Sequence, residues 1–212
     1  MEKIAIFDID YTITKKETLI QFFMYVIAQD KRNIKYIPRA LLGGFLYLIR
    51  AYDEKMVKES FLKFLEDKTE NEVKDLAKRF YNDKLSKLLY KDGLDMIKKL
   101  KSEGFKIYLI SASPEFYLFE LYSIKEVDKI IGTKFKFENN KFIRKMDGLN
   151  CKGQEKVRRL TECLKKENIE VDFKNSYMFS DSLSDQPLLD KVGNPYLINY
   201  KKQSKFQSLY WE

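Results

Sequence analysis

Asp8 and Asp10 stand two residues apart directly after a short apolar run, and the hydroxyl of Thr12 follows two residues later. An unperturbed aspartate ionises at about pH 3.9, so both carry charge at neutral pH. Holding two such charges together requires a cation, a shared proton, or both. A second acidic pair, Asp181 and Asp185, is four residues apart, which puts both on one side of a helical turn. If the pairs converge, they offer a Mg²⁺ site, because that ion takes one or two carboxylates, several waters and a substrate phosphate. Taken singly, each pair reads as well as the cap of a turn or helix. Ser111 could cradle an anion where a helix begins, or merely cap that helix. Lys152 and Lys156 open a later helix, and either could meet phosphate oxygens as a point charge.

The 212-residue chain contains no histidine. Its absence removes Ser-His-Asp and Cys-His nucleophilic catalysis and most zinc chemistry. Carboxylates, lysine, hydroxyls and a hard metal remain. The net charge of +8 suits an anionic ligand such as a phosphate ester or an acidic lipid surface. The basic residues form no stripe interleaved with aromatics, so nucleic acid is not an expected partner. Cys151 and Cys163 are expected to be reduced thiols in a cytoplasmic protein, and the first residues carry no secretory pattern.

These groups need elements to position them. Residues 3–7 predict a buried strand ending at Asp8. From 16 to about 90 the apolar positions follow a helical period, as in Phe61, Phe64, Leu65 and then Val73, Leu76, Phe80. Asp92-Gly93 predicts a turn, 94–100 a helix, Gly104 its stop, and 106–110 a strand running into Ser111. A helix is expected to 122, a hairpin over 133–146 around Asn139-Asn140, a helix over 153–166, a strand over 176–180 and a last strand over 195–199. The class is α/β: a Rossmann-like parallel sheet core with helices on both faces, 1–15 and 90–212, plus an inserted all-helical cap, 16–89. In such sheets ligands sit outside the carboxyl ends of the strands, where Asp8, Ser111 and Asp181 fall. Two apolar runs, 19–28 and 40–49, are each about half of the ~20 residues a membrane span needs. They predict a pair of buried helices. An amphipathic, membrane-facing surface is the other reading, since Arg39 and Arg50 flank the second run.

The motifs together resemble those of the haloacid dehalogenase superfamily of aspartate-nucleophile phosphatases. Asp8-Ile9-Asp10-Tyr11-Thr12 is similar to its first motif, Ser111 to its second, Lys156 (with Lys152 as competitor) to its third, and Asp181 with Asp185 to its fourth. The helical insertion resembles the C1 cap of the phosphoserine phosphatase-like branch, subfamily IB. Tyr11 departs from the small residue frequent there, and Ser180 from a common glycine.

The resemblance implies that Asp8 attacks phosphorus and Asp10 serves as acid and base. Thr12, Ser111, Ala112 and Lys156 would hold the phosphate, and Asp8, Asp10, Asp181 and Asp185 would hold Mg²⁺. Glu17 lies nine residues after Asp8, where an acid in phosphoserine phosphatases contacts the substrate amine. A helix-start cap is the alternative. A small phosphorylated substrate, phosphoserine-like, is the first expectation. The apolar segment 19–49 resembles the hydrophobic insertion of phosphatidylglycerophosphatase C-like members, which implies a lipid phosphate at a membrane surface instead. A non-catalytic binding module on the same fold is the reading of another class.

Overall fold

A computed structural model describes residues 1–212. The strand β1 (Ile4–Phe7) is buried at all four positions and pairs in parallel with β2 (Lys106–Pro114) on one side and β6 (Tyr177–Ser180) on the other. With β3 (Val127–Thr133), β7 (Asn194–Ile198) and β8 (Gln207–Leu209) they form a six-stranded parallel sheet, ordered β3-β2-β1-β6-β7-β8. Side chains alternate across it. Ala5 and Phe7 join an apolar cluster of 33 buried residues on one face, and Ile4 and Ile6 join one of 13 on the other. The first face is covered by α5 (Lys91–Ser102), the second by α7 (Gln154–Lys166) and α8 (Gln186–Leu189). A strand apolar on both faces is what a parallel sheet covered on both faces demands.

The insertion comprises α1 (Thr18–Gln29), α2 (Ile37–Leu48), α3 (Glu54–Phe61) and α4 (Glu70–Asp83), joined by short 3₁₀ segments. Each of α1, α3 and α4 starts on a side-chain cap, from Glu17, Asp53 and Thr69. The chain leaves and re-enters the sheet region at one place. The Lys15 N–H donates to the Leu88 carbonyl at 2.7 Å, and the Tyr90 N–H to the Ile13 carbonyl at 2.9 Å. The hairpin of β4 (Phe135–Glu138) and β5 (Lys141–Met146) turns on Asn139 and Asn140, both left-handed. It binds the insertion: the Phe142 N–H donates to the Lys68 carbonyl at 2.8 Å and the Met146 N–H to Glu59 at 3.0 Å.

Several expectations need correction. Asp92-Gly93 is no turn but the first turn of α5, and Gly93 is buried there. A Cβ at Gly93 would sit 3.0 Å from the Trp211 ring, so the glycine serves a close approach. Ser111 lies within β2, which continues to Pro114 by pairing with Thr133 after a break in register. β3 was not expected, because Asp128 and Lys129 interrupt its apolar pattern. At this edge they pair with Lys101 and Glu167 instead. β8, three residues long, displaces 195–199 as the last strand. The expected pair of buried helices is half right. α1 buries six residues, whereas α2 buries only Ala40 and Gly43. No helix is long and apolar enough to cross a membrane.

The loop before β7 carries a steric test. A Cβ on Gly193 would lie 1.8 Å from the Lys174 carbonyl oxygen, which is backbone and cannot swing away. Gly193→Ala should therefore cost ~1–3 kcal/mol and lower the melting midpoint by roughly 2–4 °C per kcal/mol. An unchanged midpoint in thermal denaturation would contradict this packing.

Candidate active site

Three strand ends meet at the carboxyl edge of the sheet. Asp8 has the parity of Ile4 and Ile6, so it faces the α7 side, while Ile9 turns into the opposite cluster. The Ile9 carbonyl accepts from the N–H groups of Thr12, Ile13 and Thr14, which closes a tight turn beyond the strand. At the tip Tyr11 is exposed, with φ of 57°. That left-handed backbone is costly for a bulky side chain.

Lys156 on α7 is buried, and its ammonium donates to Asp8 Oδ1 at 2.5 Å and to Asp185 Oδ2 at 2.6 Å. Lys152 lies elsewhere, paired with Glu54 of α3. Ser180 donates to Asp185 Oδ2 at 2.9 Å, so the serine that departs from the family glycine has a partner in the site. Thr12 Oγ1 lies 3.5 Å from Asp8 Oδ2 and accepts from the Asp181 N–H at 2.8 Å. Asp181 precedes and Asp185 ends a short 3₁₀ turn, Leu183–Asp185, and of the two only Asp185 is buried.

Asp10 is held differently. Its Oδ1 accepts from the Thr18 N–H, the first residue of α1, at 2.6 Å. Its Oδ2 accepts from the hydroxyls of Ser113 at 2.7 Å and Ser111 at 3.2 Å. The Thr18 hydroxyl reaches Ser113 and Tyr117 at 3.1 and 3.0 Å. The Ala112 carbonyl accepts from Lys58 of α3 and from Thr133, both at 2.6 Å. Glu17 caps α1 by accepting from the Ile20 N–H at 2.6 Å. It also lines a cavity of about 360 Å³ with Lys58, Tyr47, Glu54 and apolar side chains.

The geometry thus brings Asp8, Asp10, Thr12, Ser111, Lys156, Asp181 and Asp185 together and leaves Lys152 outside. Ser113, Thr18, Tyr117 and Lys58 were missed. Ser113 carried a signal, since two hydroxyls two residues apart on a strand share a face. Thr18 reaches Asp10 through its backbone N–H, which no side-chain pattern reveals, and Lys58 is one base among 40.

The electrostatics show an excess of negative charge. Burial pushes the Asp8 carboxyl up, against the pull of Lys156 and with added repulsion from Asp185, Asp10 and Asp181. Burial, then Asp185, pushes Asp181 up to about 6. Burial pulls Lys156 down, but Asp185 and Asp8 outweigh it and hold its ammonium well above the ordinary lysine value. One buried ammonium does not balance four carboxylates. Asp185 Oδ1 is also buried without a hydrogen-bond partner. An orphaned carboxylate oxygen among hard oxygen donors fits a cation such as Mg²⁺. No three acidic or cysteine side chains stand as a ready-made metal cage, and Lys156 lies between Asp8 and Asp185.

A family model described as haloacid dehalogenase-like hydrolase matches residues 5–190. A Mycobacterium tuberculosis protein named as a probable phosphatase is 22% identical over 198 residues, covering 92% of this chain and 68% of its own. A Bordetella pertussis Tohama I protein of unknown function superposes with a TM-score of 0.79 at 20% identity, over 95% of this chain and 92% of that one. A phosphoserine phosphatase in a substrate-bound complex superposes with a TM-score of 0.62 at 17% identity, over 95% and 88%.

Glu17 offers a test by pH. Burial first, then Asp10, pushes it from an ordinary 4.5 to about 7. The folded form therefore keeps a proton that the unfolded chain gives up, and stability falls as pH rises between those values. Glu17→Gln, which keeps an acceptor for the Ile20 N–H, should match the wild type at pH 4. Above pH 7 it should be more stable by ~1–2 kcal/mol. Denaturant melts across that range check this, and a gain that shrinks with rising pH would refute it.

Proposed function

The chain belongs to the haloacid dehalogenase-like hydrolase family, and from that premise we propose that it is a Mg²⁺-dependent phosphomonoester phosphatase working through Asp8. The observation that carries this reading is the different anchoring of two neighbouring aspartates. Asp8 faces a buried ammonium and a hydroxyl, whereas Asp10 sits in a ring of hydroxyl and N–H donors. The first suits a nucleophile; the second is held in place by its donors, and the role of proton carrier is the one the family resemblance implies for it.

In the first half-reaction an Asp8 oxygen bonds to phosphorus as the bond to the ester oxygen breaks, and Asp10 gives a proton to the departing alcohol. In the second, Asp10 takes a proton from water, which attacks the aspartyl-phosphate, frees inorganic phosphate and restores Asp8. Thr12, Ser111, the Ala112 backbone and Lys156 hold the phosphoryl oxygens. Lys156 takes the lysine role because Glu54 already occupies Lys152. Asp8, the Asp10 carbonyl and Asp181 would hold the ion, with Asp185 in support. When bound, Mg²⁺ supplies positive charge to the phosphoryl group and to the crowded carboxylates. Fixed charge and positioning supply most of the catalysis in phosphoryl transfer.

Residues 16–89 form the cap over a core of 1–15 and 90–212, and the β4–β5 hairpin travels with the cap to which it bonds. The leaving group would lie in the cavity beside Glu17. An acid there suits the amine of a small phosphoserine-like ester, the first-choice substrate. The apolar walls, Leu19, Ile20, Val57 and Phe61, favour a lipid-linked phosphate as the second reading.

A panel of phosphoserine, an aryl phosphate and a micellar lipid phosphate, with and without Mg²⁺, tests both. Chelation should abolish turnover and added Mg²⁺ restore it. Metal-independent hydrolysis would sink the cation, and no hydrolysis of any ester would favour a binding module. Asp8→Asn should lower kcat on the aryl phosphate by at least about 10³-fold. Retained turnover would remove Asp8 as nucleophile.

A further inference from the structure

α2 is packed the wrong way round for a soluble helix. Its contact side consists of its smallest residues. Gly43 lies so near α3 that a Cβ would come 3.2 Å from the Ser60 hydroxyl, and Ala40 is buried beside it. The opposite side carries Leu41, Leu42, Phe45, Leu48 and, at the helix end, Ile49. Their spacing makes one continuous helical stripe. All five are exposed, Leu48 by 80% and Leu41 by 69%. Scattered exposed apolar residues are ordinary, but a continuous stripe of large ones marks a surface that meets something.

The surrounding charge selects what it meets. Residues 31–50 contain Lys31, Arg32, Lys35, Arg39 and Arg50, and no aspartate or glutamate. All five bases are exposed, and Arg32 among them is paired with Asp30. A second copy docking through the same face would set these bases against themselves, because a two-fold interface pairs a patch with its own image. An apolar stripe on a segment with this excess of bases instead complements a surface that is apolar below and anionic above. We propose that the outward face of α2 seats in the surface of an anionic lipid bilayer, with the flanking bases at the headgroups.

The test needs no turnover, so it stands or falls apart from the phosphatase reading. The full chain is floated with vesicles of phosphatidylcholine alone and of phosphatidylcholine with phosphatidylglycerol at 7:3. Binding is expected to the anionic vesicles, weaker at high salt. It should fall at least about tenfold when Leu41→Ser, Phe45→Ser and Leu48→Ser are combined. Lys31→Glu with Lys35→Glu should weaken it without touching the stripe. Both variants should keep the wild-type melting midpoint and aryl-phosphate activity, since these side chains lie outside the site. Absence of wild-type binding to anionic vesicles overturns the proposal. So does a dimer in sedimentation that the triple substitution dissolves, which would assign the stripe to a second copy.

Discussion

The buried ammonium of Lys156, between Asp8 and Asp185, is the constraint on which the rest of the site depends. It joins α7 on one face of the sheet to the ends of β1 and β6. Removing one partner of a buried pair costs about 3–5 kcal/mol, because the remaining charge is left without compensation. The lysine therefore sets the position of Asp8 as much as the strand does. It also leaves a charge problem unsolved, since Asp10 and Asp181 repel the same carboxyl. A site with too few positive charges is adapted to a ligand that brings its own.

Asp10 supplies the other link. Its two oxygens join the start of α1 to the end of β2 through Thr18, Ser111 and Ser113. The insertion begins where the Asp10 carboxyl is held, and a shift of α1 would alter the donors around it. Lys58 ties a second insertion helix to the Ala112 carbonyl, and Asn150 bridges Lys58 to Glu54. Burial lowers the Lys58 ammonium, while Asp10, Glu54 and Glu17 oppose that pull. Placement of the insertion and the electrostatics of the site are thus one arrangement.

Two packing solutions meet in the insertion. α1 buries Phe22 against Phe64, Phe80 and Tyr117 in an aromatic cluster. α2 uses a glycine and an alanine for contact and leaves its large residues outward. Composition alone made the two segments look alike, because both are apolar runs of similar length.

Much of the fold was legible in the sequence. Where apolar period and turn chemistry agreed, as at β1, β6, α7 and the Asn139-Asn140 hairpin, local residues sufficed. β3 and Asp92-Gly93 were illegible because partners distant in sequence, Glu167 and Trp211, decide what those residues do. In the site, the sequence by itself singled out the candidate groups: Asp8, Asp10, Asp181 and Asp185 follow strand ends, and Ser111 lies near the end of β2. It favoured Lys156 by its motif and kept Lys152 as competitor, since both stand near the start of the same helix, and it said nothing of Ser113, Thr18 or Lys58. Tertiary structure decided those, because the reach of an ammonium depends on the approach of two separate elements. The direction in which α2 faces was decided there too, because one helical period serves a buried stripe and an exposed one equally.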